Sequence, residues 1–249
     1  MQQLEKGYMK ILKLIGFVVL FGCISLFSVN PSFGKTDGST KSNTQVSDLQ
    51  TQKKTTILNR LVEDGLILTE VKKLRKDKQD DVVCLALNIY NEARGSSVKD
   101  RIASSYVVFN RYEDDDYPLT LAKNERNLCN IIFDRWQFCW TNNDKIPLPR
   151  EKDAWNDAQK LALSLYSNPK HRILAKKFAL QHYVVTPLVT QRGRPKWIDN
   201  RTMTIKIGKH SYMSLRKGIN AEQQRRTSLQ VIDEAYESLY GNQDNKAKK

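Results

Sequence analysis

Apolar residues recur at helical spacing through most of the chain. The clearest case is the segment from Asp80 to Ala93, where Val82, Leu85 and Ile89 are spaced three and four residues apart. This spacing predicts an amphipathic helix with one apolar face. Gly95 follows the segment and favours a left-handed C-cap, so we expect the helix to end there.

A second helix is predicted directly after this cap. Ser97 followed by Asp100 resembles a capping box, which satisfies backbone N–H groups in the first turn of a helix. The acidic residues from Glu113 to Asp116 are expected to form a solvated turn that closes this helix. Further helices are predicted over residues 56–76, with Gly65 as a weak point, and over residues 153–166 and 222–239.

The pattern changes after Lys176, where helical spacing gives way to extended segments. Phe178 to Val185 reads as extended chain, and Met203, Ile205 and Ile207 alternate with polar residues. Alternation with a period of two predicts a β-strand. The sequence therefore predicts a mostly helical fold of the α+β class, with a small antiparallel β element late in the chain.

The N-terminus has the pattern of a secretory signal. Three lysines, Lys6, Lys10 and Lys13, precede an apolar run from Leu14 to Phe27, and small residues follow Pro31. The run is shorter than the stretch of about 20 residues that a membrane-spanning helix usually needs. We therefore predict that the protein is exported.

The first part of the chain is predicted to consist of a leader and a linker. Residues 1–34 are predicted to be a signal peptide that directs export to the periplasm or cell envelope. An uncleaved signal anchor through residues 14–29 is the alternative. Residues 35–55 are rich in Thr, Ser, Gln, Asn and Lys, which predicts a flexible linker.

The charge of the chain indicates a polyanionic partner. The formal net charge is +14, and it falls to +12 without residues 1–34, because three lysines and one glutamate are lost with them. Charge alone does not select among nucleic acid, anionic lipid and anionic cell-wall polymer. An exported protein meets little nucleic acid, so we expect a cell-wall polymer or a membrane surface, and a monomeric protein.

Cysteine and histidine usage limits what the site can contain. Cys84, Cys129 and Cys139 remain after the predicted leader, so at most one internal disulfide is possible. Cys129 with Cys139 is the first choice for it, because the two are close in sequence, and Cys84 with Cys129 is the second. The cysteine spacings match no zinc signature, so no metal or other cofactor is expected.

Glu92 is the residue that the pattern singles out for chemistry. It continues the stripe of Val82, Leu85 and Ile89, so it is in line with a buried face one turn before the helix ends. Partial burial and the negative end of the helix dipole both disfavour an ionised carboxyl and raise its pKa. Such a group suits general acid catalysis of glycosidic cleavage. The alternative is a solvated glutamate at a helix end.

Five segments of the chain resemble, in order, the motifs of the SleB-type cell-wall hydrolases, the spore-cortex-lytic enzyme family. The first is the run from Cys84 to Gly95, which contains Tyr-Asn-Glu-Ala-Arg-Gly. The others are Val107-Val-Phe-Asn-Arg111, Gln137-Phe-Cys-Trp140, the pair His182-Tyr183, and Trp197 with Ile207-Gly-Lys-His-Ser-Tyr212. Together they cover about residues 80–215. Cys139 stands where Ser is usual in the family, and Val184 where a second His is common.

The resemblance implies a lysozyme-like fold that cleaves the bond between N-acetylmuramic acid and N-acetylglucosamine in peptidoglycan. It also implies that Glu92 is the catalytic acid and that the reaction is lytic transglycosylation, which needs one carboxylate. The catalytic domain would span residues 80–216, after a helical lead-in over 56–79 and before a C-terminal helix and basic tail over 217–249. The alternatives are a signal-anchor phage-type endolysin with the same chemistry and a non-catalytic peptidoglycan-binding protein.

The resemblance also implies a set of substrate-binding residues. The aromatic members can stack on sugar rings or belong to the core; core is favoured for Phe138 and a groove role for Tyr183 and Trp197. His182 and His210 are expected to form hydrogen bonds, because no third metal ligand is visible. The full set is Tyr90, Arg94, Asn110, Gln137, Phe138, His182, Tyr183, Trp197, His210 and Tyr212.

Overall fold

The computed structural model describes residues 40–115, 117, 121, 123–135, 137–180, 182–185, 204–213 and 220–244. Within these ranges it has eight α-helices and three β-strands. The helices are α1 (Thr40–Glu63), α2 (Thr69–Lys72), α3 (Lys76–Ala93), α4 (Val98–Glu113), α5 (Leu128–Phe133), α6 (Lys152–Ser167), α7 (Pro169–Phe178) and α8 (Ala221–Asp244). The strands are β1 (His182–Val185), β2 (Thr204–Ile207) and β3 (His210–Met213).

Helix α3 lies at the centre of the fold. Every residue from Asp81 to Tyr90 is buried, so the helix is enclosed on all sides rather than along one stripe. A helix that is apolar around its circumference belongs in the interior, where α4, α5 and α6 pack against it. The polar exceptions in this stretch are Asp81 and Asn88, and both form hydrogen bonds.

The β element is a three-stranded antiparallel sheet in the order β1-β3-β2. Gly208 and Lys209 form the turn between β2 and β3, and Gly208 has a φ of +58°, which glycine adopts at low cost. The strand predicted by alternation is confirmed as β2. The α+β class with a late β element is confirmed too, and the arrangement is consistent with a lysozyme-like fold.

The structure differs from the sequence-based prediction in the segment before α3. Residues 40–55, expected to belong to a flexible linker, form the first part of α1. Their polar composition gives no helical stripe, but Ile57, Leu58 and Leu61 in the second half of this helix are buried. The predicted break at Gly65 is confirmed, with a φ of +66°. Residues 1–39, which contain the predicted leader, lie outside the described residues.

The disulfide joins Cys84 of α3 to Cys129 of α5, with a Cα–Cα distance of 5.1 Å. The first choice, Cys129 with Cys139, is therefore wrong, and the second is confirmed. Proximity in sequence was misleading because Cys139, the first residue of the 3₁₀ turn Cys139–Asn142, is exposed between the buried rings of Phe138 and Trp140. Cys129 instead faces α3, and its N–H donates to Asp81 Oδ1 at 3.0 Å.

None of the described helices is both long enough and apolar enough to cross a membrane.

Candidate active site

The end of α3 and the start of α4 form a tight junction that contains Glu92. Glu92 is partly exposed, one residue before α3 ends at Ala93. Gly95 has a φ of +73°, which confirms the predicted left-handed cap. Ser97 then caps α4, and its hydroxyl accepts from the N–H of Asp100 at 3.3 Å, as the capping box predicts.

Tyr90 lies on the opposite side of α3 from Glu92, because positions two residues apart on a helix point about 200° apart. Its ring is buried edge-on against Trp155. Its hydroxyl accepts from the N–H groups of Arg150 and Glu151, both at 3.1 Å, and from Arg94 Nη1 at 2.8 Å. Tyr90 thus anchors the start of α6, and its hydroxyl faces protein backbone.

Arg94 belongs to the same side of α3 as Tyr90. Its guanidinium lies 4.7 Å from the centroid of the Tyr90 ring and 3.2 Å from Glu151 Oε1. Both charged groups are exposed, so this ion pair is worth little in stability. It nevertheless turns the Arg94 side chain toward α6 rather than toward the helix face that carries Glu92.

The face of α3 beneath Glu92 carries Asn88, which is one helical turn earlier and wholly buried. Asn88 Oδ1 accepts from Trp140 Nε1 at 3.1 Å. Among the described residues its Nδ2 has no hydrogen-bond partner. The segment of Gln137 to Trp140 is therefore held against the side of α3 that leads to Glu92.

Gln137 and Phe138 are positioned from α4 by Arg111. Arg111 Nη1 donates to the carbonyl of Gln137 at 3.3 Å, and its guanidinium stacks 4.7 Å from the centroid of the Phe138 ring. Phe138 is buried, so the expectation that it belongs to the core is confirmed. Gln137 is partly exposed, with its amide nitrogen 3.5 Å from Asp134 Oδ2.

Asn110 acts on the backbone that leads into the sheet. It is buried near the end of α4, and its Nδ2 donates to the carbonyl of Leu180 at 3.0 Å. Leu180 precedes β1 by two residues. Asn110 therefore helps to place the strand of His182 and Tyr183 rather than presenting its amide to solvent.

His210 and Tyr212 meet at Asp100, which no sequence argument singled out for this site. All three side chains are buried. His210 Nδ1 lies 2.9 Å from Asp100 Oδ2, and the Tyr212 hydroxyl lies 2.5 Å from Oδ1. Burial opposes ionisation of Asp100, yet the hydrogen bonds from His210 and Tyr212 together hold its pKa below its ordinary value.

The remaining predicted residues fall partly or wholly outside what the structure describes. In β1, Tyr183 pairs in register with Tyr212, and His182 pairs with Met213. This places both on the strand next to β3, but only their backbone is described. Trp197 lies outside the described residues.

Asp100, Asn88 and Trp140 are the polar contacts that the sequence analysis missed. Asp100 was interpreted as part of a capping box. That interpretation explains the hydrogen bond from its backbone N–H to Ser97, but it predicts no partner for its carboxylate. A signal was available, because Asp100 is at helical spacing from the apolar Ala103 and Val107. An acid in line with a buried face requires donors from another element.

The acidic turn after α4 is remote from the junction. Helix α4 has 16 residues, which separates its two ends by about 24 Å. At the far end Asp115 pairs with Lys123 at 2.7 Å, and Glu113 lies 3.7 Å from Arg172. The expectation that this is a solvated turn is confirmed, because both acids are exposed.

Part of the chain is similar in sequence to one family of known proteins. Residues 95–213, just under half of the chain, match the family model described as Cell Wall Hydrolase. The match begins three residues after Glu92 and ends with β3. No curated protein and no solved structure matches the chain significantly. The match supports a peptidoglycan-degrading function, and residues 95–213 form a domain similar to the cell wall hydrolases.

Proposed function

We propose that this protein is an exported peptidoglycan lytic transglycosylase in which Glu92 is the catalytic acid and base. The observation that carries the proposal is the place of Glu92. It is a partly exposed carboxyl on the last turn of a helix that is buried from Asp81 to Tyr90, immediately before the segment similar to cell wall hydrolases. SleB-type membership, suggested by the motifs around Glu92, is part of this proposal.

The chemistry requires one group that gives and then takes a proton. Protonated Glu92 donates to the glycosidic oxygen between N-acetylmuramic acid and N-acetylglucosamine, and the bond to the muramoyl C1 breaks. The Glu92 carboxylate then removes the proton of the muramoyl 6-hydroxyl, whose oxygen bonds to C1 and closes a 1,6-anhydro ring. Glu92 ends protonated again, and no water is consumed.

Among the described residues, the carboxylates of Asp100 and Glu151 near the helix junction are both engaged by other side chains, which supports a mechanism with one carboxylate. Hydrolysis with retention or inversion uses a second acid about 5 to 9 Å from the first. Asp100 accepts hydrogen bonds from His210 and Tyr212, and Glu151 pairs with Arg94 on the other side of α3. The acids at the end of α4 lie about a helix length away.

Substrate contacts and location complete the proposal. We assign Gln137, His182, Tyr183 and Trp197 to binding the glycan, while Tyr90, Asn110, Phe138 and Tyr212 support the surrounding backbone and core. Residues 1–34 would direct the enzyme to the periplasm or cell envelope, either as a signal peptide that is cleaved or as a signal anchor that is retained. Anionic wall polymer is expected to contact the basic surface of the protein, as its net charge of +14 suggests.

Product mass after digestion of purified sacculi tests the proposal. The wild-type protein should release anhydro-muropeptides, which are lighter by one water than the products of hydrolysis. Glu92→Gln preserves shape and removes the proton cycle, so the rate should fall at least ~10³-fold, near the upper end for loss of general acid–base catalysis. Binding to sacculi should be unchanged.

Glu151→Gln is the matched control, because it neutralises a carboxyl on the opposite side of the same helix end. It should retain most of the wild-type rate. Products with reducible muramic ends would reject the single-carboxylate mechanism, and full activity of Glu92→Gln would reject the assignment of the acid. Binding without any cleavage by the wild-type protein would favour a non-catalytic binding protein.

A further inference from the structure

The carboxylate of Asp100 is the point at which the β2–β3 hairpin attaches to the first turn of α4. Asp100 is wholly buried. It accepts from His210 Nδ1, from the Tyr212 hydroxyl, and from the N–H of Lys209 at 3.2 Å. A buried carboxylate with these donors is compensated for its lost hydration, and the positive end of α4 adds to this.

The turn of the hairpin packs directly on this carboxylate. A Cβ atom added to Gly208 would lie 2.6 Å from Asp100 Oδ2 and 2.8 Å from Cγ. A side chain at this position would therefore displace the turn from Asp100. Glycine is required here for the close approach as well as for its φ of +58°.

The same turn also reaches the end of α3. Lys209 Nζ donates to the carbonyl of Arg94 at 3.1 Å, and Arg94 is the C-cap residue that follows the end of α3 at Ala93. Arg94 follows Glu92 by two positions. The hairpin thus contacts both sides of the α3–α4 junction, through Asp100 on one side and Arg94 on the other.

Asp100 also determines the protonation pattern of the His210 ring. An ionised carboxylate can only accept, so Nδ1 of His210 carries a hydrogen that it donates to Asp100. The same contact fixes the orientation of the ring and therefore the direction of Nε2. Removing the carboxylate releases both the orientation of the ring and the requirement for a hydrogen on Nδ1.

We infer that Asp100 is a positioning residue for the proposed cleavage reaction, which holds the Gly208–Lys209 turn and the His210 ring against the helix junction that carries Glu92. The inference rests on the proposed function. Asp100 is enclosed, so it acts through His210, Lys209 and the junction rather than by touching the glycan. A displacement of about 1 Å in such a junction is enough to reduce catalysis ~10²-fold.

The first test compares Asp100→Asn with Asp81→Asn on purified sacculi. Asp81 is a matched control, because it is also a buried acid that accepts from a backbone N–H and a tyrosine hydroxyl, but it lies toward the start of α3. At a temperature where both variants are folded, Asp100→Asn should reduce kcat ~10- to 100-fold with unchanged sacculus binding. Asp81→Asn should remain within about threefold of the wild type.

A second measurement does not depend on activity. The chain has three histidines, so ¹⁵N-labelled imidazole signals can be assigned by substitution. Wild-type His210 should show a hydrogen on Nδ1, and Asp100→Asn should change the His210 signals while Asp81→Asn leaves them in place. Should Asp100→Asn fail to fold, Tyr212→Phe removes one donor to Asp100 and should give a smaller loss of kcat of the same kind.

The outcomes separate the two proposals. Equal loss of kcat in both aspartate variants, or unchanged kcat in a folded Asp100→Asn, would overturn the positioning role. Unchanged His210 signals in Asp100→Asn would overturn the coupling on which it depends. If the wild-type protein releases no cleaved muropeptides, the proposed function fails by itself, since the imidazole spectrum reports on Asp100 and His210 independently.

Discussion

At the residue scale, His171 shows how burial decides whether a side chain can carry a proton. The ring is wholly buried in α7, with Nδ1 2.8 Å from the Tyr106 hydroxyl. Burial, with a smaller contribution from the charge of Lys170, lowers the pKa of His171 below its ordinary value of 6.5. The unfolded chain therefore takes up this proton before the folded protein does.

The lowered pKa of His171 predicts that the protein loses stability on mild acidification. As pH falls below 6.5, the unfolded state binds a proton at His171 that the folded state excludes, so the free energy of unfolding decreases until the folded pKa is passed. One proton limits the slope to about 1.4 kcal/mol per pH unit. Urea unfolding between pH 7.5 and 5 should show a smaller slope for His171→Gln than for the wild type. Identical slopes would contradict the prediction.

The candidate site illustrates which residue roles a sequence can reveal. The place of Glu92 in the last turn of α3, and the caps at Gly95 and Ser97, follow from local spacing, because a helix end depends on neighbours within one turn. Tyr90 and Tyr212 have chemistry suited to sugar stacking, but their partners, Glu151 and Asp100, are far away in sequence. Such pairings depend on how helices pack, and local periodicity contains no information about that.

At the element scale, an apolar stripe predicts the longer helices, whereas α5 and α7, which were not predicted, are marked mainly by their polar caps. Helix α5 has six residues, too few to establish a period, and starts at an Asn127 cap. Helix α7 begins with an Asn168 cap and Pro169 in its first turn. The sequence shows these signals, but short caps without a stripe are weak evidence for a helix.

The disulfide between α3 and α5 has a measurable consequence for the stability of these elements. It closes a loop with a sequence separation of 45 residues. Because this loop lowers the entropy of the unfolded chain, it can raise the free energy of unfolding by up to about 4 kcal/mol. Reduction, or the pair Cys84→Ala and Cys129→Ala, should lower the free energy of unfolding by about 2 to 4 kcal/mol in guanidinium titrations.

Cys139→Ser is the control for this measurement, because Cys139 is exposed and outside the bridge. It should change stability by less than about 0.5 kcal/mol. Peptide mapping without reduction should recover Cys84 linked to Cys129. A midpoint of unfolding that is insensitive to reductant would contradict a stabilising role for the bridge.

At the scale of the whole molecule, the excess positive charge should govern attachment to the wall. A groove of about 270 Å³ lies between α1 and the loop before α6, and Lys53, Arg60 and Lys145 are among its lining residues. Exposed cations attract an anionic polymer in a way that salt screens over about 10 Å at 0.1 M.

Neutralising these groove residues should weaken binding more than neutralising an equal charge elsewhere. Lys53→Gln, Arg60→Gln and Lys145→Gln together should lower retention on sacculi several-fold and reduce its dependence on salt. The control changes Lys72, Lys73 and Lys78 to Gln, which removes the same charge from an exposed surface near α2. Co-sedimentation across a series of salt concentrations measures both. If both triple variants lose retention on sacculi equally, binding depends on net charge and not on the groove.

The enclosure of α3 also bears on how this protein moves. A helix surrounded by packed neighbours exchanges its amide hydrogens only when most of the domain opens, so α3 belongs to the last part of the molecule to lose its structure. Glu92 is attached to the end of that segment. If Glu92 acts on a glycan as proposed, the backbone that carries its carboxyl should stay in place during binding, and any adjustment should come from the hairpin and the loops outside α3.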